Sequence, residues 1–156
     1  MLISKMKSEE CHEFLARQGV GRLACARDSQ PYIVPIYFVC EPDHLYGFTT
    51  PGRKVEWMRE NPLVCVQADE VLSQDKWTSV VVLGRYEELS ETREYSEERN
   101  KAQSLLMKRT SWWLTAYVAS VVRGHAEPPL PVFYRIHIAD ITGLRASPEG
   151  SPVRAR

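Results

Sequence analysis

The chain has 156 residues, of which 44% are apolar and 26% are charged, and its 20 basic residues balance its 20 acidic residues. This composition is typical of one globular domain with its own core, and the balanced charge excludes a general field that would attract nucleic acid or an anionic membrane. No apolar run approaches the roughly 20 residues of a membrane helix, and the N-terminus lacks a secretory signal pattern, so we expect a cytoplasmic protein.

The predicted elements are mostly strands. A helix is expected from Ser8, whose hydroxyl would cap it, to Gly19. A short helix is expected over Arg53–Glu60, a polar helix from Ser90 to about Lys108, and an apolar-faced helix around Trp112–Val121. Alternation and turn residues predict six strands, at Gly21–Ala26, Tyr32–Cys40, His44–Thr49, Leu63–Ala68, Lys76–Glu87 and Val132–Leu144.

The strand order favours one fold class. The strands lie close together early in the chain and do not alternate regularly with helices, which predicts a six-stranded, mostly antiparallel barrel with peripheral helices. The strand Tyr32–Cys40 is almost entirely apolar, so both of its faces should be covered. Pro35 removes one ladder donor, which indicates an edge or a bulge. We expect one domain over residues 1–146, a Gly- and Pro-rich loop at Arg123–Pro131, and a flexible tail over residues 147–156.

The cysteines and histidines predict no metal centre. Four cysteines and four histidines are widely separated and form no metal-ligand spacing, so we expect buried reduced thiols and hydrogen-bonded or solvent-facing imidazoles. These residues are Cys11, Cys25, Cys40, Cys65, His12, His44, His125 and His137.

The segment from Thr49 to Lys54 carries the clearest chemical signal. Thr50 as N-cap and Pro51 as first helical residue would start the short helix, which places Arg53 and Lys54 in its first turn. Two cations there interact unfavourably with the helix dipole, and each destabilises the helix by about 0.3–1 kcal/mol. A bound anion would offset this cost. Backbone N–H groups, the hydroxyls and the two cations together suit a phosphate group, although a solvated basic turn would look the same.

Several stretches together resemble one known family. They are Gly21–Ala24, Tyr32–Phe38, Thr49–Lys54, Trp77–Gly84 and the last strand, in that order. This ordered set is similar to the flavin-binding split-barrel family, the relatives of pyridoxamine 5'-phosphate oxidase.

The resemblance implies a site and an assembly. It implies a homodimer that binds flavin mononucleotide (FMN) at the subunit interface, with the phosphate on Arg53 and Lys54 and with Thr49 and Thr50 assisting. It also implies that the strand at Val34, Pro35 and Ile36 runs along the flavin ring, and that Ser79 lies near the cofactor. The implied activity is that of an FMN-dependent oxidoreductase acting on a small organic molecule.

Other functions stay open at this point. The chain lacks the C-terminal Trp, Arg and His residues of the vitamin oxidases, and no His lies in Phe48–Thr50 as it does in the nitroimidazole reductases. A flavin carrier or sensor, a haem-binding protein and a deazaflavin-dependent reductase are the alternatives. The patch formed by Trp112, Trp113 and Tyr117 is expected to belong to the core or the dimer contact, or to close over a flavin or substrate.

Overall fold

The computed structural model describes residues 1–108 and 131–148. The predicted helix around Trp112–Val121 with its aromatic patch, nearly all of the predicted loop at 123–131 and most of the predicted tail lie outside these residues. Within the described ranges, no helix combines the length and the apolarity that crossing a membrane would require.

The described residues form the following strands and helices. The strands are β1 (Leu2–Lys5), β2 (Val20–Arg27), β3 (Gln30–Tyr37), β4 (Val39–Cys40), β5 (His44–Thr49), β6 (Leu63–Ser73), β7 (Lys76–Glu88) and β8 (Val132–Ser147). The helices are α1 (Ser8–Arg17), α2 (Arg53–Glu60) and α3 (Ser96–Met107), with a 3₁₀ turn at Arg93–Tyr95 before α3.

The strand count of six is wrong for the described residues, which contain eight strands. The predicted strand Tyr32–Cys40 is divided into β3 and β4, and β1 has no counterpart among the predictions. β8 also continues past Leu144 to Ser147, because its last four residues pair with β1 on one side. The first residue of the predicted tail is therefore part of the sheet.

All described strands form one antiparallel sheet that curls into the predicted barrel. Their order is β3-β2-β6-β7-β8-β5-β4, and β1 pairs with the end of β8. β3 also approaches β5 across the core, which closes the barrel. β3 ends the sheet order, so the edge position predicted from Pro35 is confirmed.

The helix ends differ from the prediction in their capping residues. Lys7, not Ser8, precedes α1, and its backbone N–H donates to the Glu10 carboxylate at 2.8 Å. α1 stops at Arg17, before Gly19. A carboxylate in the first turn can serve the free N–H groups as well as a hydroxyl cap does, because both supply an oxygen acceptor.

Two apolar clusters hold the fold together. The larger one fills the barrel with inward side chains of its strands, and α1 and α2 add residues such as Phe14 and Met58. The smaller one lies outside the barrel wall, where Ala102 and Leu106 of α3 pack against Tyr46 and Phe133. α2 therefore belongs to the barrel core, while α3 covers the opposite side of β5. All four cysteines are free thiols: Cys11 and Cys25 are buried, and Cys40 and Cys65 are half-buried.

Gly47 is expected to be intolerant of a side chain. A Cβ at this position would overlap the ring and hydroxyl of Tyr134, which is fully buried and cannot move aside. We expect Gly47→Ala to lower the free energy of unfolding by about 1–3 kcal/mol, the usual cost of overpacking. Urea denaturation measures this change. Gly19→Ala is the control, because a Cβ there meets nothing within 4 Å, and an equal loss in both variants would contradict the prediction.

Candidate functional site

The predicted phosphate corner lies where β5 leads into α2. β5 ends at Thr49 and α2 begins at Arg53 after a three-residue turn. The N-cap is Gly52, whose carbonyl accepts from the N–H groups of Val55 and Glu56, so the prediction of Thr50 as cap and Pro51 as first helical residue is wrong. Because the start is shifted, Arg53 and Lys54 become the first two helical residues, whose N–H groups have no intrahelical acceptor.

The two cations of this corner lack anionic partners within the described part of the chain. Among residues 1–108 and 131–148, neither Arg53 nor Lys54 has a carboxylate within ion-pair distance. Lys54 is half-buried, and burial lowers the pKa of its ammonium group because the charged form loses hydration, while the Cys25 thiol opposes this shift. The charge of Lys54 and the helix dipole both favour an anion at this place.

The two threonines differ in exposure. Thr49 is 8% exposed, and its hydroxyl donates to the carbonyl of Thr50 at 3.3 Å. Thr50 lies exposed in the turn. The structure thus brings four of the predicted residues, Thr49, Thr50, Arg53 and Lys54, into one short stretch at the barrel end.

The four remaining predicted residues divide between the two faces of the barrel wall. Val34 and Ile36 point inward, since they pair with Leu23 and with the buried Gly21, and both contact the core. Pro35 points outward beside Arg22. Ser79 also points outward, because its neighbour Val80 is completely buried. The structure therefore does not bring Val34 and Ile36 into one side-chain cluster with Pro35 and Ser79.

Comparison with known proteins defines the family. The family model of pyridoxamine 5'-phosphate oxidase matches residues 7–145. This chain belongs to the pyridoxamine 5'-phosphate oxidase family. An uncharacterized protein of Rhizobium meliloti (strain 1021) is 40% identical over 146 residues, which are 94% of this chain and 97% of that protein.

Solved structures of the family share the fold. The crystal structure of an FAD-binding protein from Mesorhizobium loti has a TM-score of 0.76 at 44% identity and covers 95% of this chain and 99% of its own. The structure of the FAD binding protein from Mycobacterium smegmatis has a TM-score of 0.64 at 21% identity, with 92% and 98% covered. The mainly β, split-barrel fold class is therefore confirmed.

In this member of the family, the outward side chains of four neighbouring strands form one continuous surface, called the outer face below. One row across it is apolar: Ile33 lies beside Ala24, Ala24 beside Cys65, and Cys65 beside Leu83. Neighbouring positions of the same face are occupied by Arg22, Pro35, Gln67, Asp69, Ser79 and Val81. Ile33 and Leu83, at the two ends of the row, are 62% and 51% exposed.

A polar network crosses the middle of the outer face and includes Ser79. The amide of Gln67 donates to the Ser79 hydroxyl at 3.2 Å and to Asp69 at 3.0 Å. Arg22 donates to both Gln67 and Asp69, so the positive charge of Arg22 and the negative charge of Asp69 neutralise each other within this network. Sequence reasoning identified Ser79 but not its partners, which lie on two other strands.

Sequence reasoning also missed a histidine chain on the side of the barrel that faces away from α2. Glu87 accepts from Arg135 and from His137 Nε2, the latter at 2.7 Å, and His137 Nδ1 lies 2.9 Å from His44 Nε2. Because a carboxylate only accepts, His137 donates its Nε2–H to Glu87, and its Nδ1 accepts from His44 in the neutral form of His137. Burial and the neighbouring His137 lower the pKa of His44. These residues lie on three strands, β5, β7 and β8, so their spacing in the sequence carries no signal.

Glu87 is expected to make the stability depend on acid. Hydrogen bonds from Arg135 lower the pKa of this carboxyl from its ordinary 4.5 to about 2, against the opposing effect of burial. A carboxyl whose pKa is lower in the folded state stabilises the fold at pH values above its ordinary pKa. This contribution is lost as the pH falls through 4.5 towards 2. Between about pH 6 and pH 3.5, wild type should therefore lose roughly 1 kcal/mol more than Glu87→Gln. Urea denaturation at both pH values tests this, and equal losses would contradict it.

Proposed function

We propose that this chain binds a flavin nucleotide, with the phosphate of its FMN group at the start of α2. The observation that carries this proposal is the pair Arg53 and Lys54, two cations at the positive end of a helix with no carboxylate partner among the described residues. A phosphate would satisfy the free N–H groups of the first turn and offset the cost of the half-buried ammonium. The name of the Mesorhizobium loti relative, an FAD-binding protein, supports a flavin.

The flavin ring would lie along the free edge of the sheet. β3 ends the strand order, so about half of its backbone N–H and C=O groups point away from β2 and can bond the polar edge of a flavin. Pro35 and Ser79 lie on the outer face, where side chains can touch the ring. Val34 and Ile36 would act from inside, by holding β3 against the core.

A second copy of the chain would complete the site. The apolar row from Ile33 to Leu83 is exposed in one chain, whereas the apolar sequence of β3 predicts cover on both faces. The ion pair of Arg22 with Asp69 is satisfied within the chain, so burying these two side chains leaves neither charge unpaired. A two-fold symmetric contact through this surface would therefore place the cofactor at the interface of a homodimer.

The proposed activity is that of a flavin-dependent oxidoreductase acting on a small organic molecule. A bound flavin supplies two-electron chemistry, and the chain supplies binding, orientation and exclusion of water. The described residues assign no acid or base to this reaction. His12 and His137 have both ring nitrogens in hydrogen-bonding positions, which disfavours either residue as an axial haem ligand.

The absorption spectrum of the purified protein tests this function. We expect two bands, in the near-ultraviolet and the blue, and release of a flavin nucleotide identified by mass spectrometry. A single Soret band would instead show haem, and a deazaflavin would be recognised by its mass. Bleaching of the bound flavin by a reduced nicotinamide cofactor would support an enzyme. A flavin that resists every donor would support a carrier or sensor. Protein that binds no flavin, even after incubation with excess nucleotide, would overturn the proposal.

A further inference from the structure

Two histidines face each other across the seam between β5 and β8. His44 lies directly opposite His137 in the antiparallel ladder, where cross-strand side chains are neighbours. His44 Nε2 and His137 Nδ1 are 2.9 Å apart. The backbone is fixed on both sides of these two residues, by the remaining ladder pairs on one side and by the N–H of Ile138 donating to the Asp43 carbonyl at 3.0 Å on the other. This histidine pair is therefore a preformed feature of the barrel wall.

The rings of the histidine pair are not aligned for a linear hydrogen bond. Their centres are 4.3 Å apart, and the rings are inclined by 61°. A linear N–H···N bond of the observed length would place the ring centres roughly 5 Å apart, because each centre lies behind its nitrogen. At least one ring axis therefore lies well off the line that joins the two nitrogens, and the hydrogen bond is bent. A rotation of the rings would aim both nitrogen lone pairs at one point beside that line.

The spacing of the two nitrogens suits two ligands of one metal ion. Imidazole nitrogens bind a divalent ion at about 2.0–2.1 Å, so two of them at a right angle around the ion are about 2.9 Å apart. At the tetrahedral angle that zinc prefers, they would be about 3.3 Å apart. The distance of 2.9 Å in the histidine pair thus matches the right-angled ligand positions of Cu²⁺ or Ni²⁺.

Glu87 supplies the support that a metal-binding histidine needs. His137 donates its Nε2–H to Glu87 at 2.7 Å, which leaves Nδ1, the nitrogen facing His44, without a proton when the ring is neutral. Metal-bound histidines usually donate their second ring nitrogen to a carboxylate in this way, which fixes the tautomer and the ring orientation. Glu87 also pairs with Arg135, so the charge of Arg135 is compensated beside the histidine pair.

The histidine pair is accessible to an ion and to water. The side chain of His137 is 46% exposed, and His44 is half-buried. Within residues 1–108 and 131–148, no third His, Cys, Asp or Glu side chain joins the pair in a cluster of three, so water would hold the remaining ligand positions. Arg85 lies opposite His137 on β7, but it is exposed, so solvent and salt screen its charge.

We propose that His44 and His137 bind a divalent metal ion with right-angled ligand positions, Cu²⁺ or Ni²⁺, and that Glu87 orients His137. The site lies on the side of the barrel that faces away from α2, so the proposal does not depend on the flavin site. Sequence spacing predicts no metal centre because the two histidines are 93 positions apart. A hydrogen bond that joins β5 to β8 would explain the contact, but not the bent geometry together with a carboxylate on the far nitrogen.

Calorimetric titration of the untagged protein with NiCl₂ tests the site. Nickel is the first probe because Cu²⁺ can oxidise the free thiols. For wild type we expect one ion per chain and a rise in the melting temperature with excess NiCl₂. His44→Gln should weaken Ni²⁺ binding at least about 10-fold and remove most of this rise. His12→Gln is the matched control, because both ring nitrogens of His12 lie 2.9 Å from backbone carbonyl oxygens, and it should change neither result.

Electron paramagnetic resonance of the protein with less than one equivalent of Cu²⁺ identifies the ligands. We expect a tetragonal spectrum with couplings from two imidazoles in wild type and from one in His44→Gln. Equal Ni²⁺ affinities of wild type and His44→Gln would overturn the proposal, and so would a wild type that binds no Ni²⁺ or binds Zn²⁺ more tightly. If His44→Gln does not fold, the more exposed His137→Gln carries the test. An unchanged Ni²⁺ affinity in that variant would likewise overturn the proposal.

Discussion

Replacing both Arg53 and Lys54 by alanine is expected to weaken FMN binding by two or more decades while the barrel stays folded. Each charge-assisted contact to phosphate contributes roughly 1.5–3 kcal/mol, and 1.4 kcal/mol corresponds to a factor of ten. The fold should survive because neither cation has a carboxylate partner among the described residues, and because removing a half-buried charge relieves its cost of desolvation. Fluorescence titration of the apoprotein measures the affinity, and urea denaturation measures the stability.

Riboflavin provides the control ligand for this double variant. It carries the same ring without the phosphate, so its affinity should be nearly the same in wild type and in the double variant. Arg59→Ala is the control protein, since it removes a cation from the other end of the same helix, where Arg59 pairs with Glu88. If the double variant loses riboflavin and FMN affinity equally, the phosphate does not lie at the start of α2.

A double substitution of Ile33 and Leu83 by glutamate is expected to convert a dimer into monomers. These residues are 62% and 51% exposed at the two ends of the apolar row on the outer face. In a two-fold contact, both copies of each introduced carboxylate would be buried in the interface. A buried charge without a partner costs several kcal/mol. Size-exclusion chromatography with light scattering measures the mass. Because the second copy completes the proposed site, flavin affinity should fall at least about 10-fold with the dimer.

A control variant distinguishes loss of the interface from loss of solubility. Met107→Glu introduces the same charge at a residue of α3 that is 54% exposed and lies away from the outer face, so the dimer should remain. A wild-type protein that is monomeric with flavin bound would contradict the shared site. So would a double variant that stays dimeric.

Local sequence determined the elements whose signals lie within a few residues. The turn between β2 and β3 is formed by Asp28 and Ser29, both with positive φ, where the sequence predicts a turn. β5 has the predicted bounds, His44–Thr49, and α2 covers the predicted residues. β1 was missed because its four residues are all exposed and their partners lie about 140 positions later, so no local periodicity marks it.

The sequence by itself determined that Arg53 and Lys54 lie at the start of α2, because two cations in the first turn of a helix are a local arrangement that any fold would preserve. Only the tertiary structure decided which side of β3 faces the core, since alternation does not say which face is covered when both are apolar. The tertiary structure alone also brought Arg27 of β2 and Tyr32 of β3 against Trp57 of α2. Contacts between distant segments depend on how the sheet curls, and the sheet is built from pairings between distant strands that no short stretch of sequence encodes.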